Sequence, residues 1–296
     1  MKTLYTYLQL MRPANIITAL TNVISGIAAS LYILKNENFL NYSNIGYLLV
    51  ATTGLYGGGI VFNDFFDSNI DKIERPNRPI PSGLVTKRRA GLLGSFLFII
   101  GLISALKVSI EAFSISLIIC IFCFVYNIKT KHYLWLGGLT LALCRGLNLL
   151  LGTTLIEGNI KYLWPLGFIP FGLTIAITSV SQVEVAGNNT IILKKSVGFY
   201  LLTLLTVCTL IYIYTTKISF YTVFLGLFVS VNGFYLQNAL KDPIPINIQK
   251  VVKWGVLSFI ILDAAITSSF SNFYYGLMVF CLLPVSIVLS KFFAVT

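Results

Sequence analysis

Charge is scarce in this chain. Only 10% of its 296 residues are Asp, Glu, Lys or Arg, against 56% hydrophobic, where a soluble domain carries about 25% charged residues. So few charges cannot cover a water-soluble globule. Low hydrophobicity, the signature of disorder, is missing too. The apolar residues come in long runs without alternation, which excludes the strands of an outer-membrane barrel. Histidine occurs once, at His132, so no Ser/His/Asp or Cys/His set can be assembled beyond it. The five cysteines (Cys120, Cys123, Cys144, Cys208 and Cys281) lie inside apolar runs with no His or acid beside them. That argues against a disulfide framework and a zinc site, and the C-x-x-C at Cys120–Cys123 reads as packing rather than redox chemistry. No cleavable signal peptide is evident, because the first apolar run is long enough to span a membrane. Acids are scarcer than bases, 10 against 21, giving a net charge of +11. In a soluble protein this would suggest nucleic acid. Here the loops of a multi-pass membrane protein explain it, and no nucleic-acid partner is expected.

What is present is a succession of apolar segments. Ten read as membrane helices: 14–34, 45–64, 90–106, 112–126, 134–154, 163–182, 197–214, 220–240, 251–267 and 273–291. Each is near the ~20 residues that cross a bilayer. With the N-terminus inside, 16 of the 21 Lys and Arg fall on the inner side and four (Lys35, Lys107, Lys161 and Lys217) on the outer. The positive-inside rule therefore places the N-terminus and the polar loops in the cytoplasm. Nine helices would move only Lys291 across, so charge does not separate nine from ten. The longest inner loop is read as 65–89, with others at 127–133, 183–196 and 241–250. Nothing divides the chain by composition, and 1–296 reads as one transmembrane domain. Polar loops gathered on one face imply chemistry at that face.

The strongest local signal is Asn63-Asp64-Phe65-Phe66-Asp67-Ser68-Asn69-Ile70-Asp71. Spacings of three and four put Asp64, Asp67 and Asp71 on one helical face. Carboxylates so placed repel one another, and a hard divalent cation relieves the repulsion. An all-oxygen ligand set points to Mg²⁺, which shares its shell with substrate phosphates. The next stretch supplies Lys72, Arg75 and Arg78 within K-I-E-R-P-N-R-P-I-P-S-G. Arg forks onto phosphate oxygens. Three prolines and a glycine make this stretch a stiff loop. A solvated helix end with ordinary positive-inside residues is the plainer reading, but it leaves the acidic triplet without a reason.

The N-D-x-x-D-x-x-x-D motif followed by R-P-x-R-P-I-P-S-G resembles the first aspartate-rich motif of the UbiA superfamily of intramembrane prenyltransferases, with some similarity to its EboC-like branch. Arg12-Pro13-Ala14-Asn15 opens the first helix as in that family, and Tyr126 followed by Lys129 and Lys131 closes the fourth similarly. The resemblance implies an all-α bundle of nine to ten transmembrane helices around a central cavity. It implies transfer of a prenyl group from a polyprenyl diphosphate to a small-molecule acceptor, usually aromatic, within the lipid bilayer. Mg²⁺ on two aspartate motifs would hold the diphosphate. In the second motif this chain departs from the pattern: Ser181-Gln182-Val183-Glu184-Val185-Ala186-Gly187-Asn188 puts Ser181, Glu184 and Asn188 at the acidic positions. Only Glu184 keeps a charge. The resemblance thus assigns metal to Asp64, Asp67, Asp71 and Glu184, and substrate contacts to Asn15, Asn63, Arg75, Arg78, Tyr126, Lys129, Lys131 and Gln182.

Arg145 and Asn148 share a face of the fifth helix. Arg145 lies 11 residues past Leu134, roughly 16 Å deep at 1.5 Å per residue. Asp263, in the ninth helix, lies at similar depth. Intramembrane charges are functional candidates by default. Arg145, with Asn148, would line the cavity and hold an anionic acceptor such as a carboxylate; alternatively Arg145 and Asp263 form an ion pair, or each is a hydrogen-bonded core group. Asn15 and Asn22, seven apart, are expected to face the same cavity, with a plain helix–helix hydrogen bond the commoner role for such residues. Beside the prenyltransferase reading stands a non-catalytic polyprenyl-lipid binder that kept the first motif and lost the second. An ion-coupled transporter is weaker, since the acids lie at a helix end rather than the midplane.

Overall fold

The computed structural model describes residues 2–33, 41–184, 187, 190–215 and 221–293. Among these there is no strand. The helices are α1 (Lys2–Met11), α2 (Pro13–Ile33), α3 (Tyr42–Glu74), α4 (Lys87–Val108), α5 (Ile110–Ile128), α6 (Leu134–Thr153), α7 (Ile160–Leu163), α8 (Phe168–Ser181), α9 (Thr190–Thr215), α10 (Tyr221–Lys241), α11 (Pro245–Phe270), α12 (Phe273–Phe280) and α13 (Leu282–Phe292). Among the described residues, ten stretches are long and apolar enough to cross a membrane. A 3₁₀ turn fuses α7 and α8 into one of them, and α12 with α13 makes another, broken at Cys281. All ten segments read from the sequence are present.

Local chemistry sets the helix ends. Asn41, Thr86, Ser109 and Asn272 cap α3, α4, α5 and α12, each side chain accepting a backbone N–H of the first turn. Pro13 and Pro245 occupy the first positions of α2 and α11, where no amide hydrogen is needed.

The expectation of a loop over 65–89 is corrected. α3 runs on to Glu74, and α4 begins at Lys87. The acidic motif is therefore helical throughout, and the loop shrinks to 75–86. Two effects carry α3 onward. Phe62, Phe65 and Phe66 pack with Phe98 and Phe124, tying the helix end to α4 and α5. Each acid of the motif also finds a basic partner, which removes the repulsion that would fray the helix. At 33 residues, α3 is roughly 50 Å long, well over the ~30 Å hydrocarbon core, so its last turns project beyond it.

α11 is the buried hub, touching α2, α8, α9, α10, α12 and α13. α2 joins it to the other half, packing on α3 and α6. Lipid is as apolar as leucine, so close backbone approach and hydrogen bonds hold such helices together. The α2–α6 crossing shows this: a Cβ at Gly26 would stand 2.1 Å from the Leu149 carbonyl oxygen, and one at Gly152 would stand 2.2 Å from that of Val23. Ser30 donates to the Thr153 carbonyl beside them at 2.9 Å. The chain ends meet as well. Tyr5 donates to the Phe292 carbonyl and packs its ring, tilted, against Phe293, and Ser286 donates to the Ala14 carbonyl. The bundle thus closes on itself around an internal cavity walled by α2, α3, α5, α6, α8 and α11.

Candidate active site

The end of α3 and the loop after it form a basin of about 390 Å³ lined by Gln9, Arg12, Asp64, Glu74, Arg75 and Arg78, among others. Arg78 Nη1 lies 3.2 Å from Asp64 Oδ1 and 2.8 Å from Asp71 Oδ2, bridging the two acids. Arg12 Nη2 adds a 2.7 Å contact to the same Asp64 oxygen. Asp64 and Asp71 are each only 2% exposed, so these pairs are not solvated surface bridges. Asp67 turns the other way and pairs with Lys131. Ser181 ends α8, and its hydroxyl donates to the Thr178 carbonyl. Glu184 follows the end of α8 and is half-buried, within the field of Arg75: burial raises its carboxyl above the ordinary value, and the Arg75 charge opposes that rise.

Arg12 was not among the site residues read from the sequence. It has φ 47°, the one non-glycine residue with positive φ among the described residues. It joins α1 to α2 just before Pro13, where the ordinary helical conformation is disfavoured. A left-handed non-glycine costs of order 1–3 kcal/mol and persists only when its surroundings fix it; here the Asp64 contact does so. Burial lowers its guanidinium below the ordinary value, and Asp64 pulls it back up. The R-P dipeptide was the signal for this residue.

A second cavity, of about 280 Å³, lies inside the bundle. Arg12 lines both spaces and stands where the polar basin meets the apolar interior. Asn15, Asn63, Tyr126, Arg145 and Asn148 line this inner cavity, as does Asn127, which the sequence reading passed over. Asn127 gives its amide hydrogens to the Cys123 carbonyl at 2.9 Å and accepts from Asn63 at 3.1 Å. The Asn63 amide is thereby oriented, with its oxygen directed away from Asn127. Gln182 follows the last turn of α8 and is half-buried. Lys129 is exposed and lines neither space. Asn188 lies outside the described residues.

Of the alternatives for Arg145 and Asp263, the direct ion pair is not formed; each group has its own hydrogen-bond partners. Asp263 accepts from Thr21 at 2.7 Å, Asn22 at 3.3 Å and Ser25 at 3.4 Å, all on α2. Arg145 donates to Thr18 at 2.7 Å and Tyr56 at 2.8 Å. α2 thus inserts its own hydroxyls and amides between the two charges. Asn22, expected in the cavity, instead joins Asp263 to Asn148.

Among the described residues no three His, Cys, Asp or Glu side chains gather into a metal cage. The donor chemistry nonetheless fits Mg²⁺, which commonly takes one or two carboxylates and completes its shell with water and phosphate oxygens. Asp64 and Asp71 converge closely enough for one cationic nitrogen to bridge them, so a cation fits between these two acids.

The profile of the UbiA prenyltransferase family matches residues 22–254. A digeranylgeranylglyceryl phosphate synthase from Methanosphaera stadtmanae is 30% identical over 179 residues, 60% of this chain and 62% of that protein. The chain spans about half to three-fifths of the length of the curated relatives it matches. These names lend the EboC-like placement no support. Among solved structures, one reported for digeranylgeranylglyceryl phosphate synthase superposes with a TM-score of 0.68 at 23% identity, covering 91% of this chain and 99% of that one. A UbiA homologue from Archaeoglobus fulgidus bound to GPP and Mg²⁺ gives 0.60 at 14% identity, covering 93% and 99%. Family profile and fold agree: this ten-span helical bundle belongs to the UbiA prenyltransferase family.

Proposed function

We propose that the chain is a Mg²⁺-dependent prenyltransferase that moves a prenyl group from its diphosphate to an acceptor in the inner cavity. The observation that carries this reading is the position of Arg12. It contacts Asp64 in the polar basin and also lines the apolar cavity, so one ligand with a charged head and a hydrocarbon tail can occupy both spaces. Bound Mg²⁺ would neutralise diphosphate oxygens and stabilise the leaving group. Asp64 and Asp71 would hold it, with Glu184, the acid nearest Arg75 on the α8 side, as a further ligand. Arg12, Arg75 and Arg78 donate to phosphate oxygens, and Arg78 exchanges its carboxylates for phosphate as the cation enters. Asp67 pairs with Lys131 and so holds its ammonium beside the end of α3. Asn63, oriented by Asn127, and Tyr126 stand where head and tail meet. The C–O bond to diphosphate breaks with its electron pair leaving on pyrophosphate. The acceptor's nucleophile bonds to the carbon and gives up a proton. The apolar walls keep water from capturing the allylic cation. The motif face is cytoplasmic in this reading, as the excess of Lys and Arg there requires.

The UbiA homologue bound to GPP and Mg²⁺ supports a prenyl diphosphate donor, whereas an aromatic acceptor rests on the family resemblance alone. A second reading, a non-catalytic lipid binder, draws on Glu184 being the sole acid of the altered second motif. Following pyrophosphate release from geranyl diphosphate separates the two, using detergent extract of the host membrane as acceptor source. Mg²⁺-dependent release that Asp64→Asn abolishes is expected. Saturable geranyl diphosphate binding without any release would favour the binder.

A further inference from the structure

The thiols of Cys123 and Cys144 have no part in the chemistry proposed above. Cys123 lies on α5 and Cys144 on α6, two helices that pack side by side. Both residues line the inner cavity, and the Cys144 thiol is hydrogen-bonded to Cys123. Both are free thiols. The Cys123 sulfur also abuts α3, where a Cβ on Gly59 would stand 3.1 Å from it. Its backbone is held by the Asn127 amide, which donates to the Cys123 carbonyl. The C-x-x-C spacing paired Cys123 with Cys120, but Cys120 lines neither cavity, and Cys144 is the cysteine that shares the wall.

Two thiols in contact on separate helices make a dithiol, and the space before them sets what they can bind. Sulfur ligands select soft partners. Zinc needs four ligands, and among the described residues no three His, Cys, Asp or Glu side chains gather to supply them. Leu55, Ile60, Ile119, Leu141 and Val256 line the same space, where a bare cation or an ionised thiol is costly. A fitting ligand therefore arrives neutral, leaves the site neutral, takes two sulfurs and brings an apolar group. Trivalent arsenic bonded to one carbon meets all four demands. The As=O bond and two S–H bonds break, and two As–S bonds form. The oxygen departs with both hydrogens as water. Arsenic keeps its oxidation state, and no charge is left behind.

We propose that Cys123 and Cys144 form a two-thiol site for trivalent arsenicals that carry an apolar group, and that a ligand there closes the inner cavity to a prenyl chain. The site itself does not depend on the prenyltransferase reading. The closure rests on that reading, which puts the prenyl chain in the same space. Asn63 and Tyr126 line that space together with the two cysteines, so the arsenical's apolar group competes with the tail of a prenyl diphosphate and leaves the basin open to its head.

Phenylarsine oxide is the probe, titrated by calorimetry into the full chain in detergent with its cysteines reduced and the reductant removed. One equivalent should bind. Cys123→Ser and Cys144→Ser should each weaken binding at least about 100-fold, because a single thiol loses the advantage of the second. Cys208→Ser and Cys281→Ser, at exposed positions, should change nothing. The small dithiol 2,3-dimercaptopropanol should strip the bound arsenical, and 2-mercaptoethanol at the same thiol concentration should not. No binding, binding that survives either of the first two variants, or release by the monothiol overturns the site. If Cys123→Ser does not fold, Cys144→Ser decides alone. Geranyl diphosphate with Mg²⁺ is then titrated with and without the arsenical. Its affinity should fall at least about tenfold in the loaded protein, and adding the arsenical to Cys144→Ser should not lower it. Full affinity in the loaded protein overturns the closure. Failure of geranyl diphosphate to bind the untreated protein counts against the prenyltransferase reading, removes the closure with it, and leaves the two-thiol site standing.

Discussion

The helix ends that carry the two motifs, that of α3 and that of α8, differ sharply. At the end of α3, three acids meet three bases, and two of the acids are almost wholly buried. At the end of α8, a serine hydroxyl donates to its own helix, and Glu184 is the only acid. The first wall holds its charges ready in a preformed network. The second offers one carboxylate whose burial already favours the proton. A diphosphate entering here finds cation and guanidinium groups on one side, so binding should depend very unequally on the two walls.

The largest effect is expected at Asp64. Asp64→Asn takes the charge from the partner of two guanidinium groups and from the metal ligand proposed above. Breaking a buried pair costs ~3–5 kcal/mol, so geranyl diphosphate binding with Mg²⁺ should weaken more than about 100-fold by calorimetry. Arg78→Gln comes next. It removes both the bridge and a phosphate donor, and a charge-assisted hydrogen bond is worth about 1.5–3 kcal/mol, or roughly 10- to 150-fold. Glu184→Gln should cost only about threefold, as for an accessible ion pair. That gap should close as pH falls, and from a higher pH than for an ordinary carboxylate, because protonation of the raised carboxyl already removes the charge. A loss at Glu184 as large as that at Asp64 would break the asymmetry. Ser181→Asp should narrow it, lowering the Mg²⁺ needed for half-maximal binding by about twofold to threefold, as expected from one added charge. Lys129→Gln should stay within about twofold, since Lys129 is exposed and lines neither cavity.

Much of this was legible in the sequence. Apolar length alone revealed the ten spans, and N-D-x-x-D-x-x-x-D marked the first wall. What the residues could not show were pairings between distant segments. Helical spacing put Asp64, Asp67 and Asp71 on one face, yet Arg12 and Arg78 claim Asp64 while Lys131 draws Asp67 aside. Equal depth suggested that Arg145 meets Asp263. Depth says nothing of which helix stands between, and α2 stands there with Thr18, Thr21 and Asn22. The end of α3 was misjudged because charges usually mark a loop, whereas here their partners let the helix continue.

The most direct test of the one-sided site is a cycle on geranyl diphosphate affinity. It compares the unaltered protein and Asp64→Asn, each with Mg²⁺ and with EDTA. If Asp64 acts through the metal, each change alone should weaken binding more than about tenfold, and the two together should cost little more than either. Affinity that survives EDTA, or losses that simply add, would contradict the assignment of Mg²⁺ and diphosphate to the first wall.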